Sequence, residues 1–579
     1  MLILMLLLAC KSHEAVLIAA NGSSSTTQQV MMVATTTQKR DLQNQSRPQT
    51  EERPKPQLRE FKAYAPPPLE TKHRIYDYIG TELEREPYMI ICCTHSLNLQ
   101  PDRLIVIDLN PESAAYQKVS SELIFPQIGD ELCKMNWTRS AANLGEMAKV
   151  SRSHLLVPCM ASNRIYIVSV EGLILKLVKV IETKELTVRD LSCPYSVHTL
   201  PLSGAPIHVA CLGDRHGHGK GDFLLIDRKT FTIRERINKS EFATFGGEFA
   251  LQTRFNAIIS CEWGHPRQFQ SGLLRGDFNE SDSPLAELAS NDRHSVSTLS
   301  AIKTLILPQN PLFGNRLNVW QISPGLLKQT IDLDPKEGSL TTCIRFLHNP
   351  DCNHAFACSA LGSTIYHVHM NSLSGEFKAD KIIQLPRIRV SGSNDPLNVS
   401  GSNDPLNEDG LPAMLTDLVI SMDDKFLYVA AWLHGMILQY DISDPFKGTL
   451  FSKVQLGGIL QSPNSSRVTG FDLGQEHLHP IRTIIKDCAF RGGPASLQLS
   501  LDGRRLYVGN SFYKPWDAQF YPELIVEGGQ IVLVEISAKD STMQLSKEFL
   551  VDFGKLSDGP FLPRDARFPQ GDSTSDNFL

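Results

Sequence analysis

From about residue 100 onward, short apolar runs rich in β-branched and aromatic side chains alternate with turns of Gly, Asn, Asp and Pro. No long stretch of 3.6-residue period competes with them, so the pattern predicts a mostly β chain. One strand type recurs: LIVIDL from Leu104, RIYIVSV from Arg164, FLLIDR from Phe223, LNVWQI from Leu317, TIYHVHM from Thr364, MILQYDI from Met436 and QIVLVEI from Gln530. Most copies follow a second apolar run, among them HLLVPCM, IHVACLG and HAFACSA at ten to twenty residues and NAIISCEW at a longer interval. SMDDKFLYV from Ser421 and SLDGRRLYV from Ser500 are near copies, each with Asp in a tight turn. A four-stranded blade cannot bury both faces alone, so such units stack radially. The expectation is an all-β, seven-bladed β-propeller, with six or eight blades as alternatives.

The copies start 60, 59, 94, 47, 72 and 94 residues apart, and the long spacings hold extra material. Surface loops are predicted at about 270–313 and 390–410, and a further insertion at about 461–485; the second contains VSGSNDPLN at 390–398, repeated unchanged at 399–407. Residues 1–60 read as an apolar start followed by a polar, Pro-containing disordered leader, and 61–579 as a single propeller domain. The run from Met1 to Ala9 is too short to span a bilayer, and no transmembrane segment is expected. It leaves two locations open: cytoplasmic, or secreted if residues 1–20 act as a signal peptide. In the second case Asn21, Asn44, Asn136, Asn238, Asn279, Asn398 and Asn464 open N-x-[ST] acceptors.

Composition narrows the chemistry. With 57 Lys and Arg against 63 Asp and Glu, the net charge is -6, which excludes the positive field a nucleic-acid partner requires. Twelve cysteines with no CxxC spacing indicate neither a metal ribbon nor a redox pair. Cys92 and Cys93 are neighbours that strain discourages from bonding, and Cys159, Cys211, Cys261 and Cys358 lie in apolar runs as small buried groups. The loop GDRHGHGKGD at 213–222 is not a phosphate loop, because Gly221 follows Lys220 and no helix follows the loop. It reads as a propeller turn, with His216 and His218 as a solvated pair before a metal site. There is no HExxH, GxSxG or EF-hand pattern.

Four stretches resemble the selenium-binding protein family, whose members include methanethiol oxidases: CIRFLHNPD at 343–351, AWLHGMILQYDISDP at 431–445, GGPASLQLSLDGRRLYVGNSFYKPWDAQFYPEL from Gly492, and EFLVDFGK at 548–555. The resemblance implies a seven-bladed propeller and a copper-dependent oxidation of methanethiol by O2 to formaldehyde, hydrogen sulfide and hydrogen peroxide. It also implies selenium bound at a cysteine in some members. Carried over, it makes His198 and His434 metal candidates. A histidine the family usually has three residues before His198 is Tyr195 here, and a family His-His pair is replaced by Cys133 and Lys134. The family's selenium-linked cysteine position is Ser140, and two further cysteine positions are Asn143 and Ser573, so no selenium-binding residue is expected. An altered copper site would draw on His198, His434 and Cys133. His348 is expected to be structural, and Glu262 and Trp263 to lie near the channel mouth. Two functions follow: an oxidase acting on a small thiol, or an inactive scaffold binding protein partners through its inserted loops. His95 or His208 would have to enter the channel to compensate for the missing pair.

Overall fold

The computed structural model describes residues 85–141, 150–202, 204–237, 242–273, 312–391, 411–461, 467–471 and 482–573. Seven antiparallel four-stranded sheets form the blades of a propeller. From the axis outward, blade 1 takes Phe561–Arg567, Tyr88–His95, Arg103–Asp108 and Val119–Ile124. Blade 2 takes Asn136–Trp137, His154–Cys159, Arg164–Glu171 and Ile174–Ile181, and blade 3 takes Ser192–Thr199, Ile207–Gly213, Gly219–Ile226 and Ile233–Arg236. Blade 4 is Phe249–Gln252, Ala257–Ser260, Arg316–Gln321 and Leu327–Asp332; blade 5 is Thr341–Phe346, His354–Ser359, Thr364–Met370 and Phe377–Gln384. Blade 6 is Leu415–Ile420, Phe426–Ala431, Met436–Asp441 and Thr449–Gln455, and blade 7 is Ser496–Leu499, Arg505–Gly509, Gln530–Ile536 and Met543–Asp552.

Each of the seven recurring sequences is the third strand of its blade, and the runs upstream are the second strands. The reason is burial. Second and third strands are packed between neighbouring blades, so they read as nearly continuous apolar runs; Leu155 to Cys159 is buried throughout. The outer strand of the same blade alternates instead, with Leu175 buried between exposed Ile174 and Lys176. Blades 6 and 7 meet through Val419, Tyr428, Ile437, Leu497, Val508 and Val532, all buried. Such side chains contribute about 1.5–3 kcal/mol each when removed from water.

The last strand closes the ring. Phe561–Arg567 pairs antiparallel with Tyr88–His95, in a register that sets Ala566 opposite Ile91 and Phe561 opposite His95. The two near-copied turns are built alike: Ser421 Oγ donates to Asp423 Oδ1 and Ser500 Oγ to Asp502 Oδ1, both at 2.6 Å. Each turn then needs a residue at positive φ, met by Asp424 in one and Gly503 in the other.

The insertion at 461–485 holds regular structure. Arg467–Phe471 forms a strand that pairs with Ile388–Ser391, joining the second and third insertions as a two-stranded ribbon. The alternation in RVTGF is too short to separate a strand from a loop by pattern alone. All of the tandem repeat but Val390 and Ser391, and most of the 270–313 segment, lie outside the described residues.

Candidate functional site: a charged axis under an aromatic roof

The inner strands, and the turns that lead into them, place ionisable side chains on the axis. Lys134 of blade 2 extends its Nζ to 3.0 Å from Glu248 at the entry to blade 4 and 3.1 Å from Asp417 of blade 6. Arg345 of blade 5 donates to Glu248 at 2.8 Å, and His198 Nε2 of blade 3 lies 3.6 Å from the same carboxylate. Five blades therefore meet in one buried network. On its blade 1 side, Arg567 donates to Asp565 at 2.8 Å.

Burial opposes every one of these charges, and the partners decide the outcome. Burial alone would raise the Glu248 carboxyl, but Lys134, Arg345 and His198 outweigh it and hold it well below the usual carboxylate range. Burial likewise disfavours the Lys134 ammonium, yet Asp417 and Glu248 keep it charged, with its pKa well above the ordinary lysine value. His198 is lowered by burial, against the pull of Glu248. Asp565 is pushed up to about 6 by burial, with Arg567 opposing.

A roof covers the axis at the end where second and third strands connect. It is built from blade 7, whose connecting segment folds into helices α1 (Lys514–Phe520) and α2 (Pro522–Glu527). Pro515 and Pro522 lie in the first turns, where the missing amide costs nothing. Trp516 donates to the Phe269 carbonyl at 2.8 Å and stacks on Trp263 at 6.2 Å, while Tyr521 donates to the Trp432 carbonyl at 2.9 Å. Arg564 fastens the roof to the axis by pairing with Asp517 at 3.1 Å and with Glu131. Beneath lies a cavity of about 30 Å³ lined by Cys133, Lys134, Tyr195, Trp263, Asp417 and Arg564, among others. That is room for a water or two.

The three copper candidates are not assembled there. Cys133 Sγ donates to the Pro158 and Pro194 carbonyls at 3.2 and 3.4 Å, and burial pushes its pKa well above the ordinary thiol value. A protonated donor is a poor metal ligand. His198 faces Glu248. His434 sits in the turn between the second and third strands of blade 6, its Nε2 buried without a partner and its pKa lowered by burial to about 4. Among the described residues, no group of three or more His, Cys, Asp or Glu side chains has an arrangement that could hold a metal ion. The residues present do not fit a copper centre.

The profile of the 56 kDa selenium binding protein family matches residues 77–283 and 301–579. The chain belongs to the selenium-binding protein family. Its relatives include a Caenorhabditis elegans protein named "Putative selenium-binding protein", 44% identical over 89% of this chain and 88% of the relative. The human protein named methanethiol oxidase is 35% identical over 83% of this chain and 92% of its own length. The crystal structure of a hypothetical selenium-binding protein from Sulfolobus tokodaii matches with a TM-score of 0.68 at 26% identity, covering 86% of this chain and 97% of that one.

Against that family pattern, three of this member's departures, Cys133, Lys134 and Tyr195, line the axial cavity. Lys134 supplies a fixed cation where the resemblance implied an imidazole, and Tyr195 packs against Trp263 at 4.9 Å instead of offering a ring nitrogen. Ser140 lies at the opposite end of the inner strand from Cys133, donating to the Thr199 carbonyl at 2.9 Å. Asn143 lies outside the described residues, and the Ser573 backbone carbonyl accepts a hydrogen bond from His348 Nε2 at 3.0 Å. Glu248, Arg345 and Asp417 were not singled out from the sequence. The only signal was indirect: a buried lysine requires carboxylates.

The remaining candidates resolve simply. His348 is structural, held by Asp424 at 3.1 Å and by Ser573. Trp263 lines the axial cavity, whereas Glu262 turns away from it to accept from Asn318 at 3.0 Å. His216 and His218 sit on an exposed turn organised by Asp214. His95 serves its own turn, accepting from the Leu97 amide, and His208 is on a second strand behind His198, so neither restores the missing pair. Cys92, Cys93, Cys159, Cys211, Cys261 and Cys358 are free and buried. Asn136 is buried and donates to the Val197 carbonyl at 3.0 Å, which removes it as an accessible acceptor for sugar.

Proposed function

We propose that this chain is a family member that works as a binding scaffold and does not carry out copper-dependent oxidation of methanethiol. The observation that supports this reading is the Lys134 ammonium held between Glu248 and Asp417. A metal cation entering the axis would have to displace an ammonium already neutralised there. It would also need a deprotonated donor where Cys133 is kept as a thiol, and metal binding requires that proton to leave.

A second reading is favoured by the relatives named methanethiol oxidase. In it the substrate is a small thiol, and copper is held by His198, His434 and Cys133 after a rearrangement that withdraws Lys134. The two readings part in one assay: methanethiol-dependent release of hydrogen sulfide by the purified, copper-supplemented chain beside His434→Ala. No release is expected from protein that melts cooperatively. Release would overturn the proposal, and its loss in His434→Ala would assign the activity to that imidazole.

A further inference from the structure

On the face opposite the aromatic roof, a cleft of about 1180 Å³ opens between blades 2 and 3. Its walls come from Thr138 to Ser140 after the inner strand of blade 2, from Val150, Ser151, Ser153 and His154 at the start of that blade's second strand, from Pro201 and Gly204 after the inner strand of blade 3, and from the turn joining that blade's last two strands. Four lining side chains are cations, Arg139, Arg228, Lys229 and Arg234, against one carboxylate, Asp227. Asp227 is already engaged: it pairs with Arg234 and accepts from the Lys229 and Thr230 amides at 2.8 and 2.9 Å. Arg139, Arg228 and Lys229 have no carboxylate partner among the described residues.

Arg228 distinguishes this cleft from an ordinary solvated basic edge. Its Nη1 and Nη2 are fixed by the Leu202 and Leu200 carbonyls at 3.2 and 2.6 Å, and its Nε is buried with no partner. Burial and the neighbouring Arg139 both disfavour its charge. His154, half-buried beside Arg139, is lowered by burial and is neutral at pH 7, so it neither adds to nor relieves the excess. Three cations without a carboxylate partner among the described residues, set in a concave site on a chain whose net charge is -6, focus a local positive field.

We propose that this cleft binds a small organic molecule through a phosphate- or sulfate-type oxyanion, with Arg139 and Arg228 as the clamp and Lys229 at the rim. Guanidinium forks match tetrahedral oxyanions, and the Phe231 and Pro201 walls offer apolar surface to the rest of the molecule. The site is remote from the axis and stands whether or not methanethiol is oxidised.

The test is calorimetric titration of the full chain with inorganic phosphate and with pyrophosphate, at low and at high salt. Saturable binding that weakens with salt is expected, and Arg139→Gln should weaken it at least tenfold. Arg139 is exposed, so this variant should melt like the wild type; Arg228→Lys, which keeps the charge and loses the fork, should also weaken binding. Lys447→Gln, on blade 6, should leave it unchanged. Absence of saturable binding, or equal affinity in Arg139→Gln, overturns the proposal. So does Arg139-dependent co-sedimentation with phosphatidylcholine vesicles containing phosphatidic acid when free phosphate and pyrophosphate fail to bind, because the source would then be a lipid headgroup.

Discussion

Lys134 Nζ lies 3.0 Å from Glu248 Oε2, although the whole of blade 3 separates the two residues in the ring. The contact links non-neighbouring blades through buried charge, and removing one partner strands the other. Lys134→Met should therefore cost about 3–5 kcal/mol, read as a lowered urea midpoint. In a double-mutant cycle with Glu248→Gln, the coupling should exceed about 1 kcal/mol. Additive effects would mean that the pair carries no net interaction.

Restoring imidazoles should reverse the chemistry of the axis. The wild-type chain is expected to show no copper affinity better than micromolar by equilibrium dialysis. Cys133→His/Lys134→His removes the resident cation and adds two nitrogen donors near His198, and it should gain measurable copper binding with an electron-paramagnetic signal of nitrogen ligation. Tight copper binding by the wild type would refute the displacement argument.

Acid stability should depend on His208. Burial, with His198 and Arg228 nearby, lowers its pKa to about 4 in the folded chain, against an ordinary value of about 6.5. The unfolded chain thus takes up this proton first as pH falls, so the contribution is complete above 6.5 and is lost progressively down to 4. His208→Gln should flatten the stability profile in that window by up to about 1.4 kcal/mol per pH unit. Asp102, raised by burial to about 7, acts with the opposite sign in both proteins and cancels from the comparison. Parallel profiles measured by urea unfolding at stepped pH would count against the assignment.

Thiol labelling should be sparse in the folded state. Of the eleven described cysteines, Cys352 and Cys488 alone are not fully buried. Brief treatment with iodoacetamide followed by peptide mass spectrometry should modify these two and spare Cys133 until denaturant is added. Rapid native labelling of Cys133 would mean that its hydrogen bonds to Pro158 and Pro194 do not hold it closed.

The fold was largely legible because a third strand such as Leu104–Asp108 is buried on both sides and shows this in its composition, whereas Ile174–Ile181 is half-exposed and does not. The axis was legible only at Lys134. Its partners Glu248 and Asp417 sit in GGEFA and MLTDLV, which form no motif, and only closure of the ring brings them together. The family resemblance pointed to Cys133, His198 and His434 as the positions to inspect. It carried no information on whether three side chains from different blades converge, because that depends on what stands between them.

The pairing of Phe561–Arg567 with Tyr88–His95 also sets a timetable. A ribosome releases the first blade's second strand several hundred residues before the strand that must lie beside it. At about 5–20 residues per second, that edge waits for tens of seconds. During this interval the nascent chain presents Met89, Ile91 and Cys93 beside unpaired backbone groups. Birth of this protein is thus a period of exposure to chaperones and to other nascent copies, which ends only when Phe561–Arg567 has been made.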